Sequence, residues 1–298
     1  MEREKVLFIY NPHAGKGTMK NKLSDVMEIF MRADFEVTVY ATMKQQEATE
    51  IVRETGADYQ RIICSGGDGT LHEVTYGLME LPEQQRPRCG YIPTGTVNDF
   101  ATGIKLPKRI LKAAEIAAGQ ASHAYDVGEM NGQYFTYVAA FGAFTAVSYE
   151  TSQATKNMFG KTAYLLEGVS QLSSIKSVRV SVTTEDETWE EDCILGMITN
   201  AQSVGGLKLF KKKNVKLDDG YFDGIFVRTP KNPLELNMVM NYLLSGQPNQ
   251  QIHLLHSTQV QIETEEEVAY TLDGENGGVH KKAVITNHKQ AITYFHGL

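Results

Sequence analysis

The first third of the chain alternates short apolar runs with stretches of helical periodicity. Lys5–Tyr10 reads as a buried strand that ends at Asn11-Pro12. Leu23, Val26, Met27, Ile29 and Phe30 fall on one helix face within Lys22–Arg32. Phe35–Tyr40 alternates as a strand, Gln46–Thr55 reads as helix, and Arg61–Ser65 is a strand that runs into glycines. Leu71–Leu81 is a helix stopped by Pro82, and Cys89–Ile92 is a strand that meets Pro93. A helix at Ile110–Ala118 ends at Gly119. Strands separated by helices need crossover connections, so this part is predicted to be α/β with a parallel sheet. In such sheets ligands sit beyond the carboxyl ends of the strands, which makes the strand-end loops the places to search.

The texture changes near residue 124. Short β-rich runs dominate at Tyr134–Val138, Val178–Thr183, Cys193–Thr199, Phe222–Arg228, Thr258–Glu263 and Ala283–Thr286. Helical stretches interrupt them at Ala163–Leu172 and Pro233–Leu244. This is predicted to be a second, mainly antiparallel domain. The division expected is 1–125 and 126–285, with the tail 286–298 packing back on the first domain.

The chain has 298 residues, about two domains' worth. Its 42% hydrophobic and 22% charged content is globular and excludes disorder, collagen and coiled coil. Against 36 acidic residues stand 29 Lys and Arg, a net charge of −7 that argues against a nucleic-acid partner. Cys64, Cys89 and Cys193 are too few and too far apart for a disulfide framework or a CxxC zinc site. No apolar run reaches the ~18 residues of a membrane-spanning helix. A cytoplasmic location is expected, with at most peripheral contact at a membrane surface.

Three strand-end loops carry the candidate chemistry. Asn11-Pro12-His13-Ala14-Gly15-Lys16-Gly17 offers backbone N–H groups to an anion, or is an ordinary turn. It is neither a Walker loop, since Tyr10 stands where the first glycine belongs, nor GxGxxG, since Lys20 replaces the last. Ser65-Gly66-Gly67-Asp68-Gly69-Thr70 lets phosphates approach the backbone, places a carboxylate within reach of Mg²⁺, and ends in a threonine able to cap the next helix. Pro93-Thr94-Gly95-Thr96-Val97-Asn98-Asp99 again sets a glycine among hydroxyls, an amide and an acid, with Asn98 or Asp99 a candidate helix cap. Leu272-Asp273-Gly274-Glu275 reads by itself as a tight hairpin turn.

Other features weigh less. Lys216-Leu217-Asp218-Asp219-Gly220-Tyr221 is a turn with oxygens for a hard cation, and Lys208 and Lys211–Lys213 before it are a basic cluster suited to anionic head groups or simply solvated. His253 and His256 are helix-spaced without a third ligand, and Glu265–Glu267 reads as an exposed acidic turn. Ser148 and Ser203 lack a nucleophile-elbow context.

Taken together, NPHAG at 11–15, GGDGT at 66–70, PTGTVNDFA at 93–101 and LDGE at 272–275 resemble the diacylglycerol kinase catalytic family, in its bacterial soluble lipid kinase branch. SYET at 148–151 and KLDDGYF at 216–222 point to the same branch. The resemblance implies an α/β nucleotide domain of the NAD kinase/diacylglycerol kinase type plus a β-sandwich-like lipid domain. It implies ATP and Mg²⁺ as cofactors, a lipid alcohol as acceptor, diacylglycerol first among them, and a homodimer. By that match Asn11, Pro12, His13, Ala14, Gly15, Lys16, Thr42, Gly66, Gly67, Asp68, Gly69, Thr70, Leu71, His72, Glu73, Thr96 and Asn98 contact ATP. Asp273 or Glu275 is the general base. Asp68, Asp99 and Asp126 organise the catalytic Mg²⁺ through water. Lys216, Asp219 and Tyr221 form a structural metal site, the first and last through backbone carbonyls.

The chain departs from the pattern in three places. Thr102 stands where relatives often carry Arg, Glu167 where a Lys is expected, and His72 where Asn is commoner. Phe141, Phe144 and Phe159 are candidate walls of an acyl cleft or ordinary core. Kinases for a sphingoid base, phosphatidylglycerol, NAD or a small alcohol, and a non-catalytic regulator of the same fold, are the competing readings.

Overall fold

The computed structural model describes residues 3–143, 176–205, 210 and 215–297. The elements of the first part are β1 (Glu4–Tyr10), α1 (Leu23–Arg32), β2 (Phe35–Ala41), α2 (Glu47–Thr55), β3 (Arg61–Gly66), α3 (Asp68–Glu80), β4 (Arg88–Pro93), α4 (Asp99–Gly103) and α5 (Ile110–Ala117). Strands β2, β1, β3 and β4 lie side by side and pair in parallel, with Phe8 opposite both Val39 and Ile63. The alternation of side chains splits their apolar residues between two layers. Leu7, Ile9, Ile62 and Cys64 pack on Val52 of α2 and on Leu71, Val74 and Leu78 of α3. Val6, Phe8, Ile63 and Ile92 pack on Val26 and Phe30 of α1 and on Ala113, Ala114 and Ala117 of α5. With both faces covered, β1 and β3 read as continuous apolar runs.

The second part follows as β5 (Ser122–Met130), β6 (Gln133–Phe135), β7 (Val138–Gly142), β8 (Val178–Thr183), β9 (Thr188–Thr199), β10 (Phe222–Arg228), α6 (Pro233–Ser245), β11 (Ile252–Ser257), β12 (Gln259–Leu272) and β13 (Glu275–Phe295). Its pairings are antiparallel. Helix α6 starts where Asn232 accepts a hydrogen bond from the Glu235 backbone N–H at 3.0 Å, has Pro233 in its first turn, and stops at Gly246. One interior holds Phe135, Phe141, Val180, Phe222, Phe226 and Tyr270. Phe141 is fully buried against Tyr270 and Phe226, so it is core and not a cleft wall. The readings placed on Ser148–Thr151, Phe144, Phe159, Ala163–Leu172, Glu167, Lys208 and Lys211–Lys213 lie outside the described residues.

The parallel strands and the antiparallel strands are not separate sheets. Strand β13 pairs with β12 and β5, and its last turn reaches β4, where Tyr294 pairs with Cys89 in parallel. One 13-stranded sheet therefore runs through both parts. The boundary expected between 125 and 126 falls inside strand β5, which runs along β13. His253 and His256 lie on strand β11, not on a helix. Glu265–Glu267 belongs to β12, at an irregularity in its register with β13 between Glu263 and Val268, and is not a turn. The expected run Tyr134–Val138 is broken into β6 and β7, for a reason that lies in the site.

Candidate functional site

Strands β1, β3 and β4 all release the chain at one sheet edge, and their three loops meet there. Asn11 donates its backbone N–H to Ser65 O at 2.8 Å, and Thr94 donates to Gly66 O at 2.8 Å. At their closest the loops meet backbone to backbone. A Cβ at Gly95 would stand 2.4 Å from Gly67 Cα, and one at Gly15, whose φ is +58°, 2.2 Å from Thr94 O. Any side chain there would push the loops apart. The loops meet at the N-terminus of α3, where the helix dipole favours an anion.

Helix α3 begins at Asp68 with Gly67 as its cap residue and no side-chain cap. The expected cap, Thr70, sits inside the first turn, packed on Gly66. Asn98, in left-handed backbone at φ 58°, is the cap residue of α4, also without a side-chain cap bond. Its amide instead staples the 95–98 loop, accepting from Gly95 N–H at 3.0 Å and donating to Gly95 O at 2.8 Å. Its own backbone N–H reaches Asp68 Oδ2 at 2.9 Å. Of the residues matched to ATP contacts, the glycines, Asp68 and Asn98 are thus brought together. Thr42 is tied to β1 by its backbone N–H to Tyr10 O at 3.0 Å. Leu71 is buried in the core, and Glu73 caps α2 by accepting from Ala48 N–H at 3.2 Å. Lys16 and Thr96 are exposed on the loops.

Asp68 carries a large electrostatic perturbation. Burial pushes its carboxyl up, Asp99 and then Asp273 add repulsion, and it reaches about 6 from an ordinary 3.8. Its Oδ1 is buried with no hydrogen-bond partner. An orphaned carboxylate oxygen beside a second acid is what a divalent cation or its water shell would satisfy. Among the described residues no three acidic, His or Cys side chains converge into a direct cage. The residues fit Mg²⁺ held through water and phosphate, the usual mode for that ion. Asp99, almost fully buried, accepts at 2.8 Å from Ser203 Oγ. From the sequence Ser203 shows only as a serine without a nucleophile elbow. Its true neighbour is 104 positions away, beyond the reach of any local pattern.

Asp126 is engaged differently. Its carboxylate accepts from Gly220 N–H at 2.7 Å, Gln290 N–H at 2.8 Å and the Asn287 amide at 3.4 Å. It thereby clamps the 216–221 loop to β13. Burial raises its pKa against those bonds, and the acid that repels it is Asp219. In that loop Asp219 Oδ1 accepts from Tyr221 N–H at 3.1 Å, and Asp218 meets His123 at 2.6 Å.

The turn 272–275 satisfies both of its readings. Asp273 and Gly274 have φ of 54° and 88° between the paired Leu272 and Glu275, a two-residue hairpin of the primed kind. Yet the Asp273 carboxylate is buried. Its Oδ1 accepts from Tyr137 N–H at 2.9 Å and Val138 N–H at 3.1 Å, and its Oδ2 from Thr136 N–H at 2.6 Å and His72 Nδ1 at 2.9 Å. Those amides turn away from any strand partner to reach it, which is why β6 and β7 are separate. Glu275, two residues on, is exposed, and its Oε1 stands 3.0 Å from where a Cβ at Gly69 would be. The turn and the GGDGT loop therefore face each other. Burial alone would lower the His72 imidazole, but Asp273, Glu275 and Glu73 raise it above its ordinary value.

Known proteins resemble this chain. The description "Diacylglycerol kinase catalytic domain" matches residues 5–130, and "YegS C-terminal NAD kinase beta sandwich-like domain" matches 138–291. The chain is 36% identical to a diacylglycerol kinase of Staphylococcus carnosus, over 98% of this chain and 95% of that protein. It is 33% identical to one of Bacillus subtilis, over 94% and 91%. A crystal structure of a diacylglycerol kinase from Bacillus anthracis superposes with a TM-score of 0.78 at 27% identity, covering 100% of this chain and 98% of that one. Glycine loops at the edge of a parallel sheet, an acid pair beneath them and an acidic hairpin facing them are thus borne on a chain similar to these enzymes from end to end, and the chain belongs to the diacylglycerol kinase catalytic family of lipid kinases.

Proposed function

We propose that the protein transfers the γ-phosphoryl of ATP to the hydroxyl of diacylglycerol, giving phosphatidic acid and ADP. The observation that carries this reading is the opposition of Glu275 to Gly69, with the partnerless Asp68 oxygen at the same helix end. The loops 11–17, 65–70 and 94–98 cradle the phosphates with backbone N–H groups. Asp68 and Asp99 would hold Mg²⁺ through water, and the ion would neutralise phosphate charge. Asp126 serves the same centre by fixing the 216–221 loop, the candidate structural cation site of Lys216, Asp219 and Tyr221. Glu275 takes the acceptor's proton as its oxygen bonds to phosphorus. Asp273 is the weaker candidate base, because both of its oxygens already accept two hydrogen bonds each. It holds the turn that presents Glu275. Orientation and electrostatics supply most of the rate gain.

We divide the chain into a nucleotide domain, 1–125, with the tail 286–298 packed on it, and a lipid domain, 126–285. No described helix is long and apolar enough to cross a membrane. A cytoplasmic enzyme that meets its lipid peripherally, as a homodimer, fits the family resemblance.

The test is phosphotransfer from Mg²⁺-ATP to a panel of lipids in mixed micelles, with products read by mass spectrometry. Phosphatidic acid from wild type, lowered by about 10²–10⁴-fold in Glu275→Gln at unchanged ATP affinity, is the expected result. Phosphate on a sphingoid base, phosphatidylglycerol or NAD instead moves the specificity. ATP binding with no acceptor phosphorylated overturns the enzyme reading in favour of a regulator.

A further inference from the structure

We propose that His72 is a positioning residue for phosphoryl transfer: its Nδ1 hydrogen bond to Asp273 joins helix α3 to the acidic turn and so sets where Glu275 stands over the phosphate loop. The inference rests on the reading of Glu275 as base and goes beyond it.

Three of the four donors to the Asp273 carboxylate come from consecutive backbone amides at 136–138, in the same domain. The fourth comes from His72, on the helix that follows the GGDGT loop and 201 positions away. A carboxylate only accepts here, so Nδ1 carries the proton and the tautomer is set. The bond is enclosed: the His72 side chain is 14% exposed and that of Asp273 is 0% exposed. His72 lies one helical turn beyond Asp68, on the same face of α3. The bond therefore ties the face that bears the metal-facing acid to the turn that bears the base. Tyr76, a further turn along, lies against the His72 ring at 6.2 Å and edge-on to Tyr134 at 5.5 Å, which limits how the imidazole can swing. Among the described residues Nε2 has no hydrogen-bond partner. Nδ1 donates in the neutral tautomer and in the imidazolium alike, so Asp273, Glu275 and Glu73 around the ring shift its charge without breaking the bond.

The geometry makes a side-chain prediction that charge alone does not. Asn carries an amide N–H₂ where His carries Nδ1, and Gln carries it where His carries Nε2. His72→Asn keeps the bridge, whereas His72→Gln and His72→Leu lose it. Misplacing a catalytic group by about an ångström lowers turnover by about a hundredfold.

The experiment compares wild type and the three variants with Mg²⁺-ATP and diacylglycerol micelles, with ATP affinity measured separately by calorimetry. We expect kcat about ten- to a hundredfold lower in His72→Gln and His72→Leu at unchanged ATP affinity, and His72→Asn within about threefold of wild type. Wild-type kcat in His72→Gln, or His72→Asn as slow as His72→Gln, overturns the proposal. Should His72→Leu not fold, the Asn and Gln pair decides. Should wild type itself phosphorylate no acceptor, the functional reading fails, and the bridge is then read from imidazole ¹⁵N shifts. A ring protonated at Nδ1 that responds to Asp273→Asn supports it, and one protonated only at Nε2 overturns it.

Discussion

At the scale of single residues, Asp68 shows how a site stores instability. Its folded pKa, about 6, lies above the ordinary 3.8 because burial and Asp99 both oppose its charge. The folded state thus holds the proton more tightly than the unfolded chain. The stabilising contribution is complete below the unfolded value and is lost as pH rises through the folded one. In chelated protein the ionised form then costs about 3 kcal/mol, from about two pK units at 1.36 kcal/mol each. Asp68→Asn keeps an acceptor for the Asn98 N–H without the charge. We expect it to melt higher than chelated wild type at pH 8, to gain nothing at pH 4, and to lose turnover. A difference that does not change with pH would contradict the assignment. Ser203→Ala tests the neighbouring acid. Loss of the buried bond to Asp99 costs about 1–3 kcal/mol of stability and removes one of the groups that orient that carboxylate. The expected signature is a higher Mg²⁺ requirement, with ATP affinity at saturating Mg²⁺ unchanged. Neither contact was legible in the sequence, since Ser203 and His72 find their partners 104 and 201 positions away.

At the scale of elements, the loops were legible because their chemistry is local. Glycines after an apolar strand state both the backbone approach and the helix that follows. The Asp-Gly hairpin at 273–274 was legible for the same reason. What the sequence concealed was that Asp273 is spent on the 136–138 amides, so the same side chain that marks the turn also splits a strand read as continuous. Helix α3 also begins three residues before its apolar periodicity does, because GDG continues into the first turn. Gly95→Ala tests the contact between loops. Its Cβ would lie 2.4 Å from Gly67 Cα and 2.8 Å from Asn98 Oδ1. Both neighbours are held by the loops themselves, so the strain is not relieved by a rotamer change. We expect about 1–3 kcal/mol of destabilisation and an ATP affinity at least about tenfold weaker. Unchanged ATP binding in a folded Gly95→Ala protein would separate the loop contact from nucleotide binding.

At the scale of the whole molecule, β13 is the element that composition and periodicity hid. Only Ala283–Thr286 of its 21 residues read as strand, because the rest faces water on one side and mixes Lys, His and Gln into the pattern. Yet it starts at Glu275 in the site and ends at Phe295, beside β4 and against Arg61. Arg61, fully buried, fixes that end. Its guanidinium lies between the rings of Phe295 and Phe35, at 3.9 Å and 4.7 Å, while donating to Glu4 at 2.8 Å and to the carbonyls of Ala117 and Gly119 at the end of α5. Burial lowers its pKa, and Glu4 acts in the opposite sense. The strand that presents Glu275 is thus anchored in the sheet that carries the glycine loops, and the whole chain is expected to unfold in one transition. Phe295→Ala removes the ring from under the cation and leaves a cavity, a loss of about 3–5 kcal/mol. Calorimetry should show one transition, moved down as a whole, and turnover should fall below its melting point as the anchor loosens. Two separate transitions, with only the first displaced, would mean that β13 passes the domain boundary without coupling the domains.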